Sequence, residues 1–304
     1  MIIFSEDTVD NALSKSAQET KHLTEILKMI GLPVYYIPKD FSVCENAENA
    51  LSHVPEQDSL TKCFWIGFIP TVERYTAIYN EALKKNIQLL NSPEEHQKAQ
   101  EFDLSYPLLK GLTPESVIIT NIDQCKEAID QLSFPVFIRG SARSKKVLGW
   151  KACVANTLEE VQEIATFLLK NEYSSRGRVI IRKLVNLIYS RVSDEGFPLG
   201  REYRVFLYNG EVTGYGYYWD GDDPLMNVTQ DEEKIILTRA EEAVQKLKIP
   251  FVAVDIGQLV DGSWIVIEAN DAQFAGTGHT ELFPFLNKLI SVVEQEENKS
   301  KSVI

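Results

Sequence analysis

The chain has 304 residues, 44% hydrophobic and 25% charged, a composition typical of a globular protein with one large domain or several small ones. Its 31 basic and 44 acidic residues leave a net charge of −13, which argues against general binding to nucleic acid or anionic membranes. No apolar run approaches the ~18 residues of a membrane helix, and the start MIIFSEDTVD is too acidic for a secretory signal. Four scattered cysteines without a CxxC pair predict free thiols and a cytoplasmic protein.

Short apolar runs alternate with helical patterns over the first 90 residues. A pattern from Leu23 to Ile30 has helical spacing and stops at Gly31, a favourable helix terminator. Predicted strands occupy residues 1–4, 34–37, 63–69 and 87–90, and a second predicted helix lies near 72–83. This βαβ-like order predicts a small sheet covered by helices, as a first domain over residues 1–92.

A helix start and a connector follow this domain. Ser92 is a candidate cap, and Pro93 suits the first helical position. Residues 106–114 contain two prolines and Gly111, which predicts an irregular connector. We therefore place the first domain boundary near residue 92.

The remaining sequence predicts two α+β lobes, over 93–185 and 186–294. Turn signals Asn209-Gly210 and Asp261-Gly262 predict two tight hairpins in the second lobe, with a helix near 232–247 between them. Residues 190–200 predict a long polar loop that could cover a substrate, and the acidic run 220–223 predicts a solvated loop. The polar tail, residues 295–304, is expected to be frayed.

The second hairpin places two acids opposite each other. A two-residue turn at Asp261-Gly262 pairs Asp255 with Glu268, and Asn270 shares the face of Glu268. Facing carboxylates on apolar strands need compensation, which Mg²⁺ with its preference for oxygen ligands provides. The alternative is an exposed hairpin whose acids face water, and a one-residue change of turn would break the pairing.

A basic segment at 139–151 stands out in this acidic chain. It contains five cations and no acid: Arg139, Arg143, Lys145, Lys146 and Lys151. Its small residues would let backbone N–H groups approach phosphate oxygens while the side chains neutralise charge. The alternative is a solvated surface loop, and the segment lacks a Walker A pattern.

The first hairpin carries Glu202 and Arg204 among aromatic residues. With Asn209-Gly210 as the turn, Arg204 opposes Tyr215. The pair is either an ordinary ion pair on a sheet surface or an arginine directed at a phosphate or acyl group.

The order of these motifs resembles the ATP-grasp superfamily over roughly residues 91–285. The matching segments are PVFIR at 135–139, VIIRKLV at 179–185, REYRVF at 201–206, VDI at 254–256 and VIEAN at 266–270. The resemblance implies an α/β (α+β) fold in which two lobes sandwich ATP after a small N-terminal domain. Arg at 139, Arg182-Lys183 near the adenine site and few loop glycines resemble a little-characterised branch marked by one arginine and two lysines.

The resemblance also implies residue roles. Asp255, Glu268 and Asn270 correspond to the Mg²⁺ ligands, and Arg139 and Arg204 to groups that contact the transferred phosphate. Nucleotide contacts are implied for the basic segment, for Glu202 and for the strand that meets adenine, namely Arg182, Lys183, Leu184 and Val185. The two lysines of the branch are not assigned among Lys110, Lys145 and Lys146.

The implied activity is that of an ATP-dependent carboxylate–amine ligase with an acyl-phosphate intermediate. Its substrates would be a small-molecule carboxylate and an amine, or a peptide, with no nucleic-acid or membrane partner. The alternatives are a nucleotide-binding module without ligase chemistry and a small-molecule kinase. Substrate identity and oligomeric state are not readable from the sequence.

Overall fold

The computed structural model describes residues 1–7 and 14–301. A parallel sheet with the strand order β2-β1-β3-β4 forms its N-terminal part. Its strands are β1 (Ile2–Ser5), β2 (Val34–Tyr36), β3 (Thr61–Ile66) and β4 (Ile87–Leu89). The helices of this part are α1 (Lys15–Ile30), α2 (Ala47–Ala50) and α3 (Val72–Leu83). The predicted strand and helix order is confirmed, including the left-handed Gly31 (φ 96°) that ends α1.

The two faces of this sheet bury different parts of the chain. Ile3 packs with α1, whereas its neighbours Ile2 and Phe4 pack against α2 and α3. This is the alternation expected of a strand that is buried on both faces. The α1 side also receives Phe285 and other side chains of the C-terminal helix. The limit at residue 92 therefore does not separate two independent cores, and the domain boundaries stay a prediction.

An antiparallel sheet with the order β5-β8-β6-β7 forms the middle of the chain. Its strands are β5 (Ser116–Ile119), β6 (Val136–Gly140), β7 (Val154–Ala155) and β8 (Val179–Lys183). The accompanying helices are α4 (Pro93–Gln100), α5 (Phe102–Leu109), α6 (Cys125–Leu132), α7 (Leu158–Lys170) and α8 (Glu172–Ser175). Ser92 and Glu95 form a capping box at the start of α4, as the sequence led us to expect for Ser92.

A second antiparallel sheet, with the order β12-β11-β13-β14, forms the C-terminal part. Its strands are β11 (Glu202–Tyr208), β12 (Glu211–Tyr217), β13 (Phe251–Gln258) and β14 (Trp264–Asp271), preceded by a small hairpin of β9 (Tyr189–Val192) and β10 (Pro198–Gly200). The helices are α9 (Gln230–Leu247) and α10 (Leu282–Lys301). One face of the large sheet packs on α9 through residues such as Val205 and Val254. No helix within 1–7 and 14–301 is long and apolar enough to cross a membrane.

Three local predictions are wrong. Residues 106–109 belong to α5 rather than to a connector, because Tyr106 and Leu109 are buried and the Tyr106 hydroxyl accepts a bond from Ser116 N at 2.9 Å. The polar loop at 190–200 is mostly the β9–β10 hairpin. The tail is helical to Lys301 and bonded to the body, since Glu297 accepts from the Lys62 backbone at 2.8 Å; residues 302–304 lie outside the described residues.

Both predicted hairpins form, but each contains a bulge. In β11–β12 the register shifts by one residue, so Arg204 opposes Gly216 and not Tyr215. In β13–β14 the loop has three residues, because Leu259 N donates to Ser263 O at 2.8 Å. A second shift, next to Ile267, restores the predicted pairing of Asp255 with Glu268.

Candidate active site

The face of the large sheet opposite α9 changes from apolar to polar along its strands. At one end Phe206 and Phe251 pack under the N-terminal part. At the other end Asp255 and Glu268 face each other on one rung, and Asn270 stands two residues beyond Glu268 on β14. Asp255 is buried with 1% of its surface exposed, which excludes the alternative of a hairpin whose acids both face open water.

Each acid of the rung pairs with an arginine. Arg204 on β11 donates from Nε and Nη2 to the two Asp255 oxygens at 2.7 and 2.8 Å, and from Nη1 to Gly276 O at 2.8 Å. Arg139 on β6 forms an ion pair with Glu268. Burial opposes the charge on Arg204, but Asp255 outweighs this and raises the pKa of the guanidinium. The rung is thus where the middle and C-terminal sheets meet electrostatically.

Two arginines of the middle sheet are deeply buried. Burial lowers the pKa of Arg139 to about 10 and that of Arg182 to about 9. Arg182 donates to Ile267 O at 2.9 Å and lies 4.2 Å from the Phe102 ring centroid. Its Nη2 atom is buried and has no hydrogen-bond partner among the described residues. Since buried polar atoms are normally bonded, Arg182 has an unused donor.

A cavity of about 200 Å³, here called the arginine cavity, opens over the acidic rung. Its charged or amide side chains include Arg139, Arg143, Arg204, Glu268 and Asn270. Tyr218 also lines it, with its ring centroid 4.6 Å from the Arg204 guanidinium. A cavity with three guanidinium groups favours an anionic ligand.

A second cavity of about 330 Å³, the aromatic cavity, lies between β8 and the β9–β10 hairpin. The hydrophobic and aromatic part of its wall comprises Phe137, Trp150, Leu184, Val185, Leu187, Tyr189, Phe197 and Ile267. Arg182, Lys183, Lys146 and Glu202 supply its charged groups. A mostly apolar wall with a few convergent polar groups is typical of a small-molecule site.

Lys146 and Glu202 lie together in this cavity. The Lys146 ammonium is 3.9 Å from the Glu202 carboxylate and lies 5.4–5.8 Å from the ring centroids of Phe197, Tyr218 and Trp219. Burial raises the pKa of Glu202, and Lys146 opposes that shift. Because Tyr218 lines the arginine cavity as well, this pair stands beside the border of the two cavities.

The predicted basic segment does not act as one unit. Lys146 lines the aromatic cavity and Arg143 the arginine cavity, but Lys145 and Lys151 line none of the cavities described here. Lys151 is exposed. Of the three lysines considered for the arginine-and-two-lysines branch, Lys146 alone lines a cavity described here, and Lys183 is a further cavity lysine.

Several site residues had no functional role in the sequence interpretation. Phe197 comes from the segment interpreted as a loop, and Tyr218 follows β12 without any motif. Asp223 was expected in a solvated loop but is buried, and it accepts bonds from Ser190 at 2.6 Å and Arg191 at 2.7 Å. These bonds hold the β9–β10 hairpin against the end of β12. The available signals were the aromatic run 217–219 and the aspartates that follow it.

The residues of the rung suit a hard divalent cation in part. Glu268, Asn270 and Asp255 offer carboxylate and amide oxygens on one face, and Asn270 makes no side-chain hydrogen bond within the described residues. The described part of the chain holds no group of three His, Cys, Asp or Glu side chains placed for a metal. A cation would therefore use Asn270 and would share Asp255 and Glu268 with their arginines.

The fold is that of ATP-grasp proteins. D-alanyl-alanine synthetase A from Vibrio cholerae O1 biovar eltor superposes with a TM-score of 0.62 at 15% identity, covering 97% of each chain. D-alanine–D-alanine ligase from Bacillus anthracis, complexed with ATP, gives 0.63 at 12% identity, covering 98% of this chain and 97% of that one. D-cycloserine synthetase DcsG gives 0.60 at 12%, covering 96% and 99%. Comparison with curated proteins finds no match.

The sequence itself places the chain in a family. The model of the ATP-grasp domain in family 3 of the clade named for one arginine and two lysines matches residues 128–289, more than half of the 304 residues. The chain belongs to this family. The predicted ATP-grasp membership and the mixed α/β fold class are thereby confirmed, as is the divergent branch.

Proposed function

We propose that the protein is an ATP-dependent carboxylate–amine ligase. The observation that carries the proposal is the acidic rung, where Asp255 and Glu268 pair with Arg204 and Arg139 inside a cavity that adjoins the aromatic cavity. Phosphoryl transfer needs positioning and charge neutralisation more than a protein nucleophile, and these groups supply both. The ligase names of the neighbouring folds agree with this reaction class.

ATP would lie with its base in the aromatic cavity and its phosphates directed to the arginine cavity. Lys183, Leu184 and Val185 would contact the base region, and Lys146 and Glu202 the ribose and phosphates. The unused Nη2 donor of Arg182 would find an acceptor on the nucleotide. Lys145 and Lys151, which line neither cavity, would contribute only to the local positive potential.

Mg²⁺ would bind at the acidic rung through Asp255, Glu268 and Asn270. Bound there, the ion would offset phosphate charge and orient the transferred group. Arg139 and Arg204 would then exchange part of their contact with the acids for contact with phosphate oxygens. Their short reach to the rung keeps both guanidinium groups within the same cavity.

The proposed reaction has two steps. An oxygen of the substrate carboxylate attacks the γ-phosphorus, the bond to the β-phosphate oxygen breaks, and ADP leaves with an acyl-phosphate formed. The amine nitrogen then attacks the acyl carbon, the carbon–oxygen bond to phosphate breaks, and the amine loses one proton. Inorganic phosphate leaves with one oxygen from the carboxylate.

The oxygen transfer gives the test. Acids labelled with ¹⁸O, including amino acids and short peptides, are incubated with Mg-ATP and an amine, and phosphate and products are analysed by mass spectrometry. Labelled phosphate together with an amide supports the ligase. A stable phosphorylated product would instead identify the alternative, a small-molecule kinase.

The arginine pairs favour one second candidate. Because both acids already have counterions, the site could hold a nucleotide without turning it over, as a nucleotide-binding module. That candidate predicts saturable ATP binding with no ADP formed across the same panel of acids. Trapping of an acyl-phosphate by hydroxylamine would exclude it.

A further inference from the structure

A third cavity, of about 120 Å³, lies where α1 meets the segment after β3 and the segment after β14, and is here called the α1 cavity. It shares part of its wall with the arginine cavity. The shared residues are Ile69, Arg143, Phe274, Ala275 and Gly276. The α1 cavity is therefore a side compartment of the proposed phosphoryl-transfer site, closed on its far side by Ser16, Glu19 and Thr20 of α1.

Two opposite charges line the α1 cavity, and neither has a strong partner. Within the described residues Glu19 makes no hydrogen bond, and its one cation is Lys15 at 3.7 Å, in a pair whose side chains are 63% and 35% exposed. Such exposed pairs contribute little. Arg143 has no carboxylate within 4.0 Å in the same part of the chain and lies over the Tyr173 ring at 4.3 Å. The cavity thus has an available carboxylate and an available guanidinium.

Gly276 explains how Glu19 comes close to the arginine cavity. A Cβ atom at this position would lie 3.2 Å from Glu19 Oε2 and 3.8 Å from Arg204 Nη1. Glycine therefore lets both groups approach the same point of the chain, and Arg204 also donates to the Gly276 carbonyl at 2.8 Å. The Glu19 carboxylate lies at the border of the two cavities, next to a guanidinium that we assign to phosphoryl transfer.

We propose that the α1 cavity binds the amine-bearing part of a small amino acid, which is the carboxylate substrate of the ligase. Glu19 accepts hydrogen bonds from the substrate ammonium, and Arg143 holds the carboxylate at the entrance to the arginine cavity. The assignment rests on the proposed ligase function. At ~30 Å³ per water molecule the cavity has room for about four waters, which suits a compact amino acid and not a long side chain.

The charge arrangement predicts selectivity against acids that lack the amine. Such an acid would leave Glu19 desolvated and unpaired, and a site built around a hydrogen-bonding group discriminates strongly against analogues without that group. An isolated carboxylate on α1 with no role in recognition would have no such effect.

The test compares amino acids with their deaminated counterparts. Glycine, both alanine enantiomers and β-alanine are paired with acetate and propionate, and kcat/KM for ADP release is measured with Mg-ATP and an amine acceptor. Binding of the same acids is measured by calorimetry on protein saturated with a non-hydrolysable ATP analogue. We expect at least one amino acid to exceed its counterpart by about 100-fold or more.

Two variants separate the roles of the charges. Glu19→Gln should reduce the ratio of kcat/KM between amino and deaminated acid by about 10-fold or more, whereas Arg143→Gln should weaken both acids and leave the ratio unchanged. Glu25→Gln is the matched control, because it removes the same charge from an exposed position of the same helix. It should leave the ratio at the wild-type value.

The outcomes separate this inference from the ligase proposal. If acids without an amine are activated equally well, or if Glu19→Gln leaves the ratio unchanged, the amino-acid site is overturned while the ligase stands. If the panel amino acids neither bind in calorimetry nor release ADP, the inference is likewise wrong. If amino acids bind but no acid releases ADP, the ligase proposal fails while the binding site stands.

Discussion

Arg204 and Asp255 are paired twice, once through the backbone and once through their side chains. They are opposite residues in the β11–β13 ladder, and the guanidinium holds both carboxylate oxygens at 2.7 and 2.8 Å. Both side chains are buried. A bidentate buried pair has a fixed geometry, so it sets the position of the arginine that the proposed mechanism places at the phosphate.

Removal of one partner should cost more stability than removal of both. Asp255→Asn leaves a buried guanidinium without its counterion, and we expect a loss of about 3–5 kcal/mol in the free energy of unfolding, measured with urea. The double variant Arg204→Met, Asp255→Leu should lose less than this single variant. The exposed pair Arg239–Glu242 is the control, and its removal should change stability by less than about 1 kcal/mol. A double variant that is less stable than the single variant would contradict the expectation.

Glu268→Gln should abolish Mg-dependent ADP formation while the fold persists. The amide keeps the shape of the side chain but removes the charge that the cation and Arg139 both use. We expect kcat for ADP release to fall by about 10²-fold or more. Glu211→Gln, on the exposed edge strand β12, should keep the wild-type rate. Turnover by Glu268→Gln at the wild-type rate would show that the acidic rung does not act in the reaction.

Lys146 and Lys151 should differ although the sequence groups them in one basic segment. Lys146 lies in the aromatic cavity beside Glu202, whereas Lys151 is exposed. Lys146→Met should raise the Kd for ATP by about 10-fold, since it removes a charged hydrogen-bond donor at the ligand. Lys151→Met should change it less than twofold. Equal losses in the two variants, measured by calorimetry, would mean that the whole segment closes on the nucleotide.

Glu232 should make the stability fall in acid. A bidentate hydrogen bond from Arg201, at 2.5 and 3.2 Å, lowers the pKa of Glu232 from its usual 4.5 to about 2. Because the folded-state pKa is depressed, the stabilisation is complete above 4.5 and is lost as the pH falls towards 2. Glu232→Gln should therefore lose less stability than the wild type between about pH 5 and about pH 3. Identical pH profiles of urea unfolding would refute this assignment.

Much of the fold follows from local sequence patterns. Capping residues, glycine terminators and the Asn-Gly and Asp-Gly turns act over a few residues, so Ser92, Gly31 and both hairpins are found where they are predicted. The rung of Asp255 and Glu268 is also correct, but for an incomplete reason. A three-residue loop shifts the register by one residue, and the irregularity beside Ile267 shifts it back.

The candidate site itself depends on contacts between distant segments. Arg139 and Glu268 are 129 positions apart, and they meet only because the middle sheet packs against the C-terminal one. The same packing buries Arg182 and brings Phe197, Tyr218 and Trp219 around Lys146. No period of two or 3.6 residues encodes such a meeting, since periodicity reports only which face of one element is buried.

The sequence by itself determined which acids share a rung, because strand alternation and turn chemistry are properties of a short stretch of chain. The tertiary structure decided which cations meet those acids, which basic residues remain in solvent, and that Glu19 of α1 reaches the border of the arginine cavity. These features depend on how separate sheets and helices pack, and that packing is set by the burial of apolar faces across the whole chain.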